Sequence, residues 1–200
     1  METRIVPQNL SQVRAVSGAD GVVHIPGTGI VFNQRSQKLG WFYEIIDPRA
    51  LNGADLDDIV SCFNHNMVYV LGRTTNKTLT YTIDEKGFHY DAVPLPTQTI
   101  KDLVIEPIRN EYVTGSSFMF TTADNGDEWD FSQERDGVIL RYVTRIEKVF
   151  EVGPVTLPAY TQTTTDVAQR SYDAAIKAIK EQERQYLSQY ARMRIQMING

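Results

Sequence analysis

Asp124-Asn125-Gly126-Asp127-Glu128-Trp129-Asp130 gathers four carboxylates beside an indole. Carboxylates at alternate positions suit a hard cation such as calcium. The glycine stands third in this loop rather than sixth, as an EF-hand needs, and no glutamate follows at bidentate distance. Trp129 among acids also suits a sugar face. A solvent-exposed hairpin tip with Trp129 folded onto the core explains the same residues. The histidines His24, His65 and His89 are scattered through β-type segments, and none has a partner at helical metal-binding spacing. His89 stands near Asp91 and His65 falls in a turn, yet nothing in the spacing requires them to converge. Asp55, Asp57 and Asp58 form an acidic turn that reads as a solvated loop. Gly27-Thr28-Gly29 lacks the third glycine and the following helix of a nucleotide loop, so it reads as a plain turn. Cys62 is the single cysteine, which excludes an intrachain disulfide and a cysteine-based zinc site within one chain. No Gly-x-Ser-x-Gly, P-loop or zinc-helix motif is present. Carboxylates for a glycosidase pair exist, as in any protein of this size. These residues predict no catalytic site, no cofactor and no metal.

The elements that would position any such group centre on residues 58–93. Ile59–Phe63, Met67–Leu71, Thr78–Ile83 and Phe88–Ala92 read as four short strands separated by polar turns. Leu79, Tyr81 and Ile83 alternate with Thr78, Thr80 and Thr82, the period of a half-buried strand. Short loops join antiparallel neighbours, which predicts a β-meander. Upstream, residues 1–40 are rich in turn formers and predict short strands or a docking arm. Trp41-Phe42-Tyr43 opens an apolar strand that Asp47-Pro48 stops. Pro94-Leu95-Pro96 marks an extended connection near 94–97. Leu103-Val104-Ile105, Tyr112-Val113, Ser116–Thr122 and Val138–Val152 then read as further strands, with Asn125-Gly126 as a hairpin signal.

From 166 to 198 the period changes to 3.6, with no proline or glycine. Tyr172, Ile176, Ile179, Glu183, Tyr186, Tyr190, Met193 and Met197 follow spacings of four and three, a heptad-like seam that Glu183 interrupts. Leu187, Ala191, Ile195 and Ile198 add a neighbouring stripe. At ~1.5 Å per residue this helix runs about 50 Å, beyond the roughly 30 Å width of the remaining body. It is expected to project onto a partner, or to kink back over the sheet.

The chain has 200 residues, a formal net charge of -5 and a pI near 5.2, which argues against general nucleic-acid binding. No run approaches a membrane span, and Met1-Glu2-Thr3-Arg4 leads into no apolar leader. A cytoplasm, or a particle assembled there, is the expected location. The short strands rich in Thr, Asn and Gln, the loosely patterned N-terminal arm, the scarcity of cysteine and the terminal contact helix resemble structural proteins of tailed-bacteriophage virions. Met67-Val68-Tyr69-Val70-Leu71-Gly72 within 59–92 also resembles one β-propeller blade, though a closed propeller needs several. The virion resemblance implies a tail, neck or fibre-attachment component, assembled in the host cytoplasm as a ring or trimer.

The expectation is a mainly β protein with an antiparallel, meander or sandwich-like body and a long C-terminal α-helix. Residues 1–40 would be an N-terminal arm, 41–160 the β body and 161–200 the contact helix. It would act without catalysis, through interfaces with copies of itself or other virion proteins. The predicted contacts are Trp41, Phe42 and Tyr43, and the helix residues Tyr172, Ile176, Ile179, Tyr186, Leu187, Tyr190, Met193 and Met197. The alternative is a β-sandwich binding glycan or calcium near Trp129.

Overall fold

The computed structural model of the chain describes residues 1–132, 137–156 and 165–198, with side chains of the last helix described at 168–182, 184 and 185. It divides into two compact units, Met1–Thr164 and Thr165–Gly200. In chain order the first unit carries β1 (Glu2–Val6), α1 (Gln8–Ser11), β2 (Val16–Ser17), β3 (Val23–Val31), β4 (Tyr43–Ile46), β5 (Val60–Phe63) and β6 (Asn66–Arg73). After these come β7 (Leu79–Ile83), β8 (Gly87–Ala92), α2 (Gln98–Ile100), α3 (Glu106–Arg109), β9 (Gly115–Thr122), β10 (Asp127–Asp130), β11 (Leu140–Val143) and β12 (Ile146–Val155). The second unit carries α4 (Thr165–Ile198). The protein is mainly β with a C-terminal helix.

The strands form a five-stranded sheet ordered β1-β9-β12-β5-β6, a four-stranded sheet β2-β3-β8-β7 and a three-stranded sheet β10-β11-β4. The expected purely antiparallel body is corrected to a mixed one, because β12–β5 and β11–β4 pair in parallel. Segment 59–92 does form its strands, but not one meander. A 3₁₀ turn at Thr74–Asn76, with Lys77 at φ 62, sends β5–β6 and β7–β8 into different sheets. Gly27-Thr28-Gly29 lies inside β3 rather than in a turn. A Cβ on Gly29 would lie 3.0 Å from Val152 Cγ1 and 3.3 Å from Phe88, so its absence lets β3 lie close on β12. Ile25, Ile30, Phe88 and Tyr90 of the smaller sheet and Phe118, Phe120, Val149 and Val152 of the larger are buried in one core.

Leu103-Val104-Ile105 is helical rather than a strand. Thr97 Oγ1 accepts from Ile100 N and starts α2, which runs through a π turn (Lys101–Ile105) into α3. Ile100, Val104 and Ile108, four residues apart, put one apolar stripe into the core. Asn125 takes the expected left-handed φ of 52, but β10 beyond it pairs with β11 and not with β9.

A buried charge cluster joins β1 to the three-stranded sheet. Arg4 donates to Glu44 Oε1 and Glu2 Oε2, both at 2.6 Å. Arg141, 0% exposed, donates to Glu2 Oε2 at 2.5 Å, Glu44 Oε2 at 2.9 Å and Asp127 Oδ2 at 2.6 Å. Thr122 donates to Glu2 Oε1 at 2.6 Å. Residues 2–6, expected to belong to an arm, are thus an edge strand anchored through its own side chains.

Candidate active site

Asn64 and His65 form the two-residue loop between β5 and β6, with Phe63 paired to Asn66. Their φ values of 53 and 57 are both positive, as a type I′ turn requires. Glycine is the favoured second residue of that turn. A β-carbon there costs roughly 1 kcal/mol, so His65 holds the place against the local preference. The hairpin lies close on β12, since a Cβ on Gly153 would stand 2.1 Å from the carbonyl oxygen of Cys62.

Strand alternation supplies the other two groups. On β9, Ser116 faces inward, its Oγ 3.3 Å from the Tyr90 hydroxyl, in step with buried Phe118 and Phe120. Ser117 therefore faces the opposite side of the sheet. On β12, Val152 packs against the core, which turns Glu151 to the same outer side as Ser117. His65 lies between them. Its Nδ1 is 2.5 Å from Glu151 Oε2, and its Nε2 is 2.7 Å from Ser117 Oγ.

This is a hydroxyl, an imidazole and a carboxylate in series. With Glu151 ionised, Nδ1–H donates to the carboxylate and Nε2 is left to accept the serine proton. Such a triad is recognised by geometry and not by chain order. Burial pushes the Glu151 carboxyl up from its ordinary range, opposed by its hydrogen bond and charge interaction with His65. Glu151 Oε1 makes no hydrogen bond to the described residues. A buried carboxylate whose partners are one neutral ring and the Cys62 backbone N–H, with no cation beside it, gains most when that ring becomes imidazolium. Ser117 Oγ also lies 2.7 Å from the carbonyl oxygen of Arg4. Its single proton therefore has two acceptors, and only the one on His65 leads to chemistry.

A family model for the caudovirus prohead serine protease matches residues 10–178, a span that holds His65, Ser117 and Glu151. The chain belongs to this family. Membership in a prohead serine protease family overturns the reading of a non-enzymatic tail, neck or adaptor component, and with it the glycan or calcium module. The resemblance to tailed-phage proteins stands at the level of the virus group. Neither curated proteins nor solved structures give a match to this chain. No helix among the described residues is long and apolar enough to cross a membrane.

The residues singled out from sequence lie elsewhere. Asp127 of the acidic loop is bound by Arg141, and Trp129 stacks on Trp41 at 5.2 Å between ring centroids. Among the described residues no His, Cys, Asp or Glu group is arranged to hold a metal ion. Phe42 is 1% exposed, Trp41 is half-buried, and Tyr43 is half-buried with the Arg35 guanidinium 4.9 Å from its ring. On α4, Tyr172 and Ile176 are half-buried and Ile179 is 39% exposed. The side chains of Tyr186, Leu187, Tyr190, Met193 and Met197 lie outside the described residues. His24 pairs with Asp91 at 2.8 Å, while His89 lies 3.1 Å from both Thr28 and Asp84. Burial pushes the Cys62 thiol up to about 12, which leaves it inert at neutral pH.

Sequence reasoning named His65 among scattered histidines without giving it a role, and singled out neither Ser117 nor Glu151. Two signals pointed to the triad. His65 occupies a turn position that favours glycine, and Glu151 interrupts the apolar run Val149-Phe150-Glu151-Val152.

Proposed function

We propose that the protein is a serine endopeptidase that cuts proteins of the assembling prohead, with Ser117 as nucleophile, His65 as general base and acid, and Glu151 as the group that orients and charges His65. The Ser117–His65–Glu151 hydrogen-bond chain carries this reading. Ser117 Oγ attacks the scissile carbonyl and passes its proton to His65 Nε2, while Glu151 stabilises the imidazolium. His65 returns that proton to the leaving amine as the C–N bond breaks, and an acyl-serine remains. Water, deprotonated by the same ring, hydrolyses the ester and restores the hydroxyl. Ser117 is 0% exposed and Glu151 1%, whereas the His65 side chain is 24% exposed, so the scissile bond would approach from the histidine side.

The non-catalytic surfaces keep the contact role read from sequence. We place recognition of other virion proteins, or of a second copy, on the α4 seam beginning Tyr172, Ile176 and Ile179, and on Trp41 and Tyr43. In place of a separate arm over 1–40, we propose one body that includes those residues, whose β1 and β3 lie in its sheets, and a contact helix over 161–200, acting in particles built in the host cytoplasm.

The test is covalent labelling by a fluorophosphonate, which reports an activated serine without a known substrate. In the unaltered protein Ser117 Oγ should attack the phosphorus of one probe and expel fluoride to solvent, leaving a phosphonyl ester on Ser117 that peptide mass locates. Ser117→Ala should remove labelling, and His65→Ala should slow it by about 10⁶-fold, the size of effect seen when a triad base is lost. Labelling that persists in Ser117→Ala would sink the assignment.

A further inference from the structure

The His65 turn is tied to the strand that carries Glu151. Asn64 Oδ1 accepts from the backbone N–H of Thr156 at 2.8 Å, and Asn64 Nδ2 donates to Thr156 Oγ1 at 3.1 Å. The Asn64 backbone N–H donates to the carbonyl oxygen of Pro154 at 3.0 Å. All three bonds reach the end of β12, a few residues beyond Glu151. Register between β5 and β6 is irregular on the way to this tip, with shifts between Ser61/Cys62 and Cys62/Phe63. Ladder pairing alone therefore locates the tip poorly. The β5–β12 ladder register covers only Val60 and Ser61, short of the turn.

We infer that Asn64 is a positioning residue for the protease reaction: its side-chain amide clamps the β5–β6 tip to Thr156 and so holds His65 at bonding distance from both Ser117 and Glu151. The inference rests on the triad reading above. Asparagine does two separable things at this place. It tolerates the left-handed backbone, as glycine also would, and it supplies both halves of an amide clamp, which glycine cannot. Aspartate keeps the left-handed tolerance and two oxygens, able to accept from Thr156 N–H and from the Thr156 hydroxyl. A base displaced by about 1 Å costs on the order of 100-fold in rate. Losing the clamp should therefore slow chemistry while leaving the turn intact.

The experiment compares Asn64→Gly, Asn64→Asp and Thr156→Val with the unaltered full chain and with Ser117→Ala, using a fluorophosphonate at saturating and limiting concentrations. For Asn64→Gly the expected result is a maximal labelling rate lower by about 10- to 100-fold, an unchanged half-saturating concentration and full final labelling. Asn64→Asp should restore the rate, and Thr156→Val should slow it less than Asn64→Gly. An Asn64→Gly rate equal to that of the unaltered protein overturns the clamp. So does a reduced final labelled fraction at unchanged rate, which would mean that Asn64 serves only folding. Labelling of the unaltered protein no different from Ser117→Ala removes the triad reading itself, and the clamp falls with it.

Discussion

Two buried carboxylates divide this molecule. Glu2 and Glu151 are 0% and 1% exposed, and both lie in the five-stranded sheet. Burial pushes both upward, but the Arg4 and Arg141 guanidiniums beside Glu2 outweigh it and hold that carboxyl down to about 2. Glu151 faces one imidazole and the Cys62 backbone N–H but no guanidinium, and stays raised. Both Glu2 oxygens are bonded, Oε1 by Thr122 and Arg141 and Oε2 by Arg4 and Arg141, whereas Glu151 Oε1 has no hydrogen bond to the described residues. The first arrangement is complete at rest. The second reaches its best electrostatic state only when His65 gains a proton, which in the proposed mechanism is the step of serine attack. A fully compensated charge holds structure; an undercompensated one beside a titratable base marks a candidate functional site.

Removing one charge from each site should separate the two roles. Glu151→Gln keeps an acceptor for His65 Nδ1–H but no longer stabilises the imidazolium. Labelling of Ser117 should fall by about 10³- to 10⁴-fold, with a thermal midpoint equal to or above that of the unaltered protein. The sign follows from the raised carboxyl. Its folded form prefers the proton, so it favours folding most at low pH and loses that contribution as pH rises through the folded value. At neutral pH the neutral glutamine no longer carries the buried charge. A large fall in midpoint would show Glu151 to be a structural ion instead.

Arg141→Met should do the reverse. It leaves Glu2, Glu44 and Asp127 without their shared donor, and breaking a buried ion pair from one side destabilises by about 3–5 kcal/mol. Denaturant titration should show that loss, while Ser117 labelling per folded molecule stays near the unaltered rate. The cluster also sets an acid limit. Glu2 is lowered from 4.5 to about 2, so its contribution is complete above the ordinary value and disappears as pH falls through that interval. In Arg141→Met this acid dependence should flatten.

The smallest expected effect sharpens the comparison at the backbone. Gly153→Ala forces a carbon to within 2.1 Å of the Cys62 carbonyl and pushes β5 away from β12. Stability should drop by about 1–3 kcal/mol, as for other overpacked sites. Unlike Arg141→Met, it should also slow labelling of the folded fraction, because the displaced hairpin carries His65. Unchanged labelling would mean that the hairpin tip is located independently of this contact.

Local pattern alone brought out the short strands of residues 59–92 and the helical period after 166, because periods of two and 3.6 are properties of neighbouring residues. The turn at Asn64-His65 was also read, whereas the glutamate inside the apolar run at 149–152 was there to be seen and was not singled out. The partners of these residues were not visible. Leu103-Val104-Ile105 looks like a strand by composition, but it became helical because Ile100, Val104 and Ile108 had a core to face. The acidic loop looked like a site because its carboxylates are adjacent in sequence, yet Asp127 is occupied by an arginine fourteen positions away. His65, Ser117 and Glu151 are separated by 52 and 86 positions, measured from His65. Sequence by itself determined the strands of 59–92, the turn at Asn64-His65 and the helical period after 166, since those preferences act over a few bonds, but not the state of 27–29 or 103–105. Only the tertiary structure decided which strands lie side by side. Strand pairing, through β9, β12 and the β5–β6 tip, is what brings a hydroxyl, an imidazole and a carboxylate within one proton's reach.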